Sequence, residues 1–524
     1  MSRRLLCLMT IAAVLWPASA APAAPSKSAT VRLRAVFVSL SEDVADKITR
    51  TMEGKCRAVK FVQTEMVGAG AKGKTSGPTK GDGKEELDGL VLFCGGLPDK
   101  QHVLTGLPTI LVDCVPSGDE AHEFCKAVAL ARECSTGFVT AAYHPGAGRA
   151  ESDTELKVLV EKANLLGVLK RLRHSKLITI QDHDGINRID QGVYYHEPMR
   201  DYDRDYPGIL KKRIGTEIVV VRSAELNRQV AKVPQSEAEK IARMWEGEAT
   251  EVKNVKHHDI LRAARSYIAQ RELLREHDAD AITLDTATLT FKAYGSAKMK
   301  GFGEVRAAQP LVIMELSKER IPACCQSHID CLVTQMAGTY LTGGSGFTGD
   351  FLNDWAFEPS GERPRNVMIV AHCGAPITPY GHDRLPYLIR DHIHNTAFGA
   401  EDTPTATTVT WPPNEPASIV KFDVYRKQVS IFTGKVLNGN ALYKDFANCI
   451  CRNKMVIRIA DPENCYMLPS NPKAGAFRQC DHWDRRHRHW GGHQVAFYGN
   501  LRPAIKDLAA LIGFEVIDGS VERD

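Results

Sequence analysis

From Val31 onward, short apolar runs alternate with longer stretches of helical spacing. The runs are VRLRAVFVSL, DGLVLFCGG, PTILVDCVP, TGFVTAAY, KLITIQ and GTEIVVV, and the helical stretches fall at 42–53, 120–131, 152–173, 236–245 and 257–275. Most of these runs are apolar at nearly every position, so a sheet built from them must be covered on both faces. Helices that cross between parallel strands provide that cover. ADAITLDTATLTF and PLVIMEL are read as the last strands of the series. The segment CCQSHID then opens a helix running to about residue 340, which the glycines of TGGSGFTGD stop.

From about residue 366 the pattern changes. NVMIVAHCGAP, SIVKFDVY, QVSIFTGKVL and KMVIRIA mostly alternate apolar with polar residues and have turn residues between them. That pattern predicts a β-rich region closed as a barrel or sheet. A helix at 503–511 and the run GFEVID follow. A chain of 524 residues is too long for one ordinary core. The reading is therefore a leader at 1–20, an N-terminal α/β domain at 30–175, a second α/β domain at 176–355 and a β-rich C-terminal domain at 356–524.

The leader MSRRLLCLMTIAAVLWPASA joins two arginines, an apolar run and Ala18-Ser19-Ala20, the three-part plan of an export signal cleaved after Ala20. SRRLL partly matches a twin-arginine signal, so both the Sec and the twin-arginine routes stay open. Either route delivers the chain to the periplasm or outside the cell. No later run is long enough to span a membrane. Hydrophobic content of 43% and charged content of 25% are those of a globular protein. A net charge of +4 gives no reason to expect nucleic acid as a partner. The stretch VGAGAKGKTSGPTKGDGKEE, residues 67–86, has almost nothing to bury and reads as a surface loop.

The chain has 14 cysteines, and one of them, Cys7, lies in the leader. Cys56, Cys94, Cys114 and Cys125 lie in or beside apolar segments and read as small hydrophobes. No C-x-x-C pair exists, which excludes the usual structural zinc arrangement.

Four segments carry residue types suited to chemistry. Gln326, His328 and Asp330 stand in IPACCQSHID, Asp350 follows a glycine-rich loop, His372 ends an apolar run, and His493 precedes one. Strand ends and helix N-termini are where α/β folds place their sites. An aspartate, a histidine and an amide or carboxylate oxygen suit a hard divalent ion such as Mn2+ or Mg2+. Each residue also has a plainer reading. His328 fits the first turn of a helix, Asp350 a turn cap, and His372 a hydrogen-bonded core histidine. His482, His487 and His489 fit a solvated basic loop.

The motifs IPACCQSHID, GFTGD, HCGAP and GGHQVAFYGN, with YLIR at 387–390, stand in an order and spacing that resembles the L-fucose isomerase-like proteins, which are themselves similar to L-arabinose isomerases. The resemblance implies two Rossmann-like α/β domains followed by a β-barrel domain, in a homo-oligomer. It implies aldose–ketose isomerisation of a monosaccharide or sugar derivative with a divalent metal, Mn2+ before Mg2+. It assigns Asp350, His493 and the position of Gln326 to the metal, and Gln326 and Asp350 to proton transfer. In this chain Gln326 stands where the family has a glutamate, His328 stands where a second acidic residue is common, and Asp330 is retained.

An amide oxygen can bind a metal but cannot take up a proton at neutral pH. Loss of a general base costs about 10²–10⁴-fold in rate. His328 could supply a base of suitable pKa, provided the backbone there is not helical, since residues two apart on a helix do not face each other. The sequence thus predicts an isomerase-type scaffold with altered chemistry. Its alternatives are a non-catalytic carbohydrate-binding relative and a metal-dependent sugar hydrolase or lyase with His328 as base.

Overall fold

The computed structural model describes residues 30–56, 58–68, 86–115, 121–144, 149–182, 184–186, 201–285, 302–354, 357–364, 366–392, 405–449, 451–460 and 493–518. The leader at 1–20, nearly all of the loop at 67–86, and His482, His487 and His489 lie outside them.

Five strands, β1 (Val31–Val38), β2 (Val59–Val67), β3 (Gly89–Cys94), β4 (Thr109–Asp113) and β5 (Phe138–Ala142), form a parallel sheet in the order β2-β1-β3-β4-β5. All six residues of β3 are buried, as expected for a central strand covered on both faces. The edge strand β2 was not evident from the sequence. It is half-buried along most of its length, and polar residues break its apolar run.

A second parallel sheet contains β6 (Lys176–Ile180), β7 (Glu217–Val221), β9 (Ala281–Leu284) and β10 (Ala323–Cys325), in the order β10-β9-β6-β7. The short strand β8 (Val252–Lys253) instead joins the hairpin of β13 (Tyr387–Asp391) and β14 (Thr405–Val409). The helices Arg149–His174 and His257–Glu276 confirm the helical spacing read from the sequence, with slightly wider bounds.

Six antiparallel strands close into a barrel in the C-terminal region. They are β11 (Phe347–Asn353), β12 (Val367–His372), β15 (Pro416–Asp423), β16 (Gln428–Leu437), β17 (Asn453–Ile459) and β18 (His493–Tyr498). The ladder runs β15-β18-β11-β12-β17-β16, and β16 pairs again with β15. A seventh strand, β19 (Glu515–Asp518), adds in parallel to β16. Strand alternation sorts the barrel residues into two cores. Ala496, Tyr498, Phe351, Met368, Val370 and Phe432 join one cluster, and Val495, Phe497, Val420 and Phe422 join another with helix Ile329–Thr342.

The structure corrects two local readings. PLVIMEL is not a strand; it lies in the helix Phe302–Lys318. Every residue from Pro310 to Leu316 is buried, and a short apolar run does not distinguish a strand from a helix covered on all sides. GFTGD is not a loop after a helix. Gly343, with φ of +74°, ends that helix, and the chain then enters β11, which starts upstream of residue 356. Gly349 sits inside β11 because a Cβ there would lie 2.6 Å from the Ala371 carbonyl oxygen on β12.

Gly338 marks a similar close approach. A Cβ at this position would lie 2.2 Å from the buried Phe497 ring. Gly338→Ala is expected to destabilise the protein by about 1–3 kcal/mol, the usual cost of overpacking. The urea midpoint should fall with its slope unchanged; an unaltered midpoint would refute close packing of this helix on the barrel.

Candidate functional site

The chain leaves β10 at Cys325 and turns sharply. Gln326 and Ser327 both take positive φ, +67° and +50°, and helix Ile329–Thr342 begins after His328 at its N-cap. Non-glycine residues adopt this conformation only where the surroundings enforce it. Ser327 is held by the Thr179 hydroxyl at 3.0 Å. The helical reading of CCQSHID is therefore corrected: the segment is a strand, a left-handed turn and then a helix. The turn lets residues two apart meet, and His328 Nε2 lies 2.9 Å from Gln326 Oε1. With the amide oxygen as acceptor, Nε2 carries the hydrogen.

The barrel brings the other residues to this turn. Asp350 on β11 pairs directly with His493 on β18 and with Ala371 on β12, and Ala371 pairs with Lys454 on β17. Residues directly opposite in a ladder project to the same face. His493 Nε2 lies 3.4 Å from Asp350 Oδ1. The His493 ring packs on His328 with centroids 3.8 Å apart. Gln326, His328, His493 and Asp350 thus form one continuous group. His328 is fully buried and His493 nearly so, whereas the Asp350 side chain is 40% exposed and forms the solvent side of the site.

Asp330 belongs to the helix and not to this group. It is fully buried, with Tyr206 donating its hydroxyl to the carboxylate and the Val424 N–H lying 3.4 Å from the same oxygen. His372 ends β12 with its ring centroid 5.6 Å from that of His493. Its Nδ1 accepts the Cys373 N–H at 2.9 Å, and the Cys325 sulfur lies 3.2 Å from the same nitrogen. Burial, with His328 and His392 nearby, lowers the His372 pKa to about 3. The reading of His372 as a hydrogen-bonded core histidine fits this setting. Burial likewise raises the Cys325 pKa well above that of an ordinary thiol. The pair is therefore a neutral thiol and a neutral imidazole, not an activated nucleophile.

Sequence reasoning missed the cationic corner beside His372. Asn453, the ladder partner of His372, is flanked by Arg452 and Lys454. Arg452 donates to the Asp391 carboxylate at 2.9 Å, and Arg390 donates to Asn448 Oδ1 at 3.0 Å. Burial and the neighbouring Arg452 and Arg390 lower the Lys454 pKa to about 8, although nearby cysteines oppose the shift. The signal was available in R-N-K at the head of an apolar strand, which places two cations where strand neighbours are buried. A separate cleft of about 1220 Å3 opens between helices Arg149–His174 and Arg502–Leu511; Lys162 and Asp507 bridge it, and it contains none of the candidate residues.

Among the described residues, no group of three or more His, Cys, Asp or Glu side chains is arranged to hold a metal ion. Also among them, no helix is long and apolar enough to cross a membrane. No protein-family model matches the chain, and no curated protein matches it.

The His372 geometry predicts a pH dependence of stability. Its folded pKa of about 3 lies below its ordinary value of 6.5. Between these values the unfolded chain binds the proton and the folded chain does not, so stability falls as pH drops through that window. The slope from this one group is at most about 1.4 kcal/mol per pH unit. Replacing it by His372→Gln should flatten the dependence of unfolding free energy on pH from 6.5 downward. An unchanged profile would refute the buried, neutral state.

Proposed function

We propose that this chain is an exported sugar isomerase-like protein whose site lies where the second parallel sheet meets the barrel. The observation that carries the proposal is the meeting of Asp350 and His493, far apart in sequence, at 3.4 Å, with His328 linking them to Gln326. Residues from three of the motifs that resemble L-fucose isomerase-like proteins, IPACCQSHID, GFTGD and GGHQVAFYGN, meet there. The two parallel sheets and the closed barrel support the finer reading of two Rossmann-like domains followed by a barrel domain. Export rests on the leader, and a homo-oligomer rests on the resemblance.

The donors fit a hard divalent ion in kind, Mn2+ before Mg2+. Asp350 would give a carboxylate oxygen, His493 an imidazole nitrogen and Gln326 an amide oxygen. When bound, such an ion stabilises negative charge developing on sugar oxygens. His328 donates Nε2–H to Gln326 and fixes the amide oxygen in place. Asp350, at the solvent side, is the group able to exchange a proton with a sugar hydroxyl or carbon-bound hydrogen. Burial of His328 and His493 excludes water from the inner side of the site.

A second reading, a carbohydrate-binding protein without turnover, is favoured by Gln326 itself, because the amide supplies neither the charge nor the base that the chemistry calls for.

Asp350→Asn is expected to abolish most Mn2+ binding in calorimetry while leaving the fold intact by circular dichroism. Full retention of binding would remove Asp350 from the site. Gln326→Glu adds a charge and a base, so Mn2+ should bind more tightly and aldose–ketose conversion should rise by about 10²-fold or more over wild type. If neither protein converts any aldose in a broad panel while both bind sugar, the isomerase reading gives way to the binding-protein reading.

A further inference from the structure

All eleven described cysteines are thiols. Two of them approach closely across the end of the barrel: the Cys373 and Cys451 sulfurs lie 3.7 Å apart. Cys373 directly follows β12 and Cys451 lies just before β17, at the end where His372 pairs with Asn453. Both backbones are anchored there. Asn453 Nδ2 donates to the Cys373 carbonyl at 3.0 Å, and Lys454 Nζ donates to the Cys451 carbonyl. A disulfide of about 2.05 Å needs sulfurs brought together from backbones already near each other, and the sulfurs here are 3.7 Å apart before any bond forms. Cys325 is engaged with His372 instead. Cys373 is half-buried and Cys451 is buried, so reagents in solution reach Cys373 first.

We propose that Cys373 and Cys451 form a reversible disulfide that closes the barrel end beside the candidate site. It rests on thiol geometry and the barrel ladder, and is independent of any metal or sugar. With glutathione disulfide as oxidant, the Cys373 thiolate attacks one glutathione sulfur. One sulfur–sulfur bond breaks, a mixed disulfide forms, and one glutathione leaves with the Cys373 proton. The Cys451 sulfur then attacks the Cys373 sulfur, and the second glutathione leaves with the Cys451 proton. Two protein thiols are oxidised, and one glutathione disulfide is reduced to two glutathione thiols. Because the Cys373 N–H is bonded to His372 Nδ1, the bridge fixes the segment that orients His372.

The test uses the full chain equilibrated across ratios of reduced to oxidised glutathione, trapped with N-ethylmaleimide and mapped by mass spectrometry without reduction. A Cys373–Cys451 cross-linked peptide should grow with the oxidised fraction and vanish with dithiothreitol. C451S should accumulate a glutathione mixed disulfide on Cys373, whereas C373S should leave Cys451 alkylatable only after unfolding. The wild-type protein should show a higher thermal midpoint when oxidised, and C451S should not. Recovery of both cysteines outside any disulfide at every ratio, alkylated either in the folded protein or after unfolding, would overturn the proposal, as would a bridge from Cys373 to Cys449, Cys465 or Cys480. An equal thermal response in wild type and C451S would overturn it too. The wild-type map decides alone should either serine variant fail to fold.

Discussion

Helix Ile329–Thr342 is buried at 12 of its 14 positions, and it joins the barrel to the second parallel sheet and to helix Arg149–His174. Val333, Met336 and Ala337 share a cluster with Val495 and Phe497 of the barrel and with residues of helix Arg149–His174. A helix covered on every side tolerates a polar group only when that group is bonded. Asp330 meets the condition through Tyr206 and Val424, and Thr334 through its own helix and the Phe422 N–H. Gln335 reaches the Gly346 carbonyl and the Thr348 hydroxyl. These bonds fix the rotation of the helix against the barrel, and so fix where its N-cap, His328, must stand.

The same constraint sets the site. Because the helix starts from a left-handed turn, His328 lies over His493, and the pair separates the protein interior from the half-exposed Asp350. The arrangement is asymmetric: imidazoles inside, a carboxylate outside. Asp350 is the member of the group that solvent reaches most readily. On the proposed isomerase reading, an amide at position 326 offers the oxygen of a carboxylate without its charge.

Beside it, the far end of β12 and the head of β17 gather cations and thiols in one corner. Arg390, Arg452 and Lys454 are held by carbonyls, an asparagine and Asp391. Cys373 and Cys451 lie across the same ladder end. An export leader would place these thiols in an oxidising compartment, where such a pair has chemical consequences that it lacks in a reducing one.

Some of this was written locally in the chain. Continuous apolar runs between helical stretches required parallel sheets covered on both faces, and alternating runs after residue 366 required a sheet with two unlike sides. The glycines of TGGSGFTGD announced the end of a helix, and Gly343 ends it. Other features had no local signature. PLVIMEL became a helix because neighbours cover it all round, and β2 hid its strand character at a half-exposed edge. The turn at Gln326 took a conformation that no residue type there announces. The meetings of Asp350 with His493 and of Cys373 with Cys451 come from ladder register between segments distant in sequence. Register is settled by which faces the whole barrel and its covering helix must bury, and that is a property of the assembled chain alone.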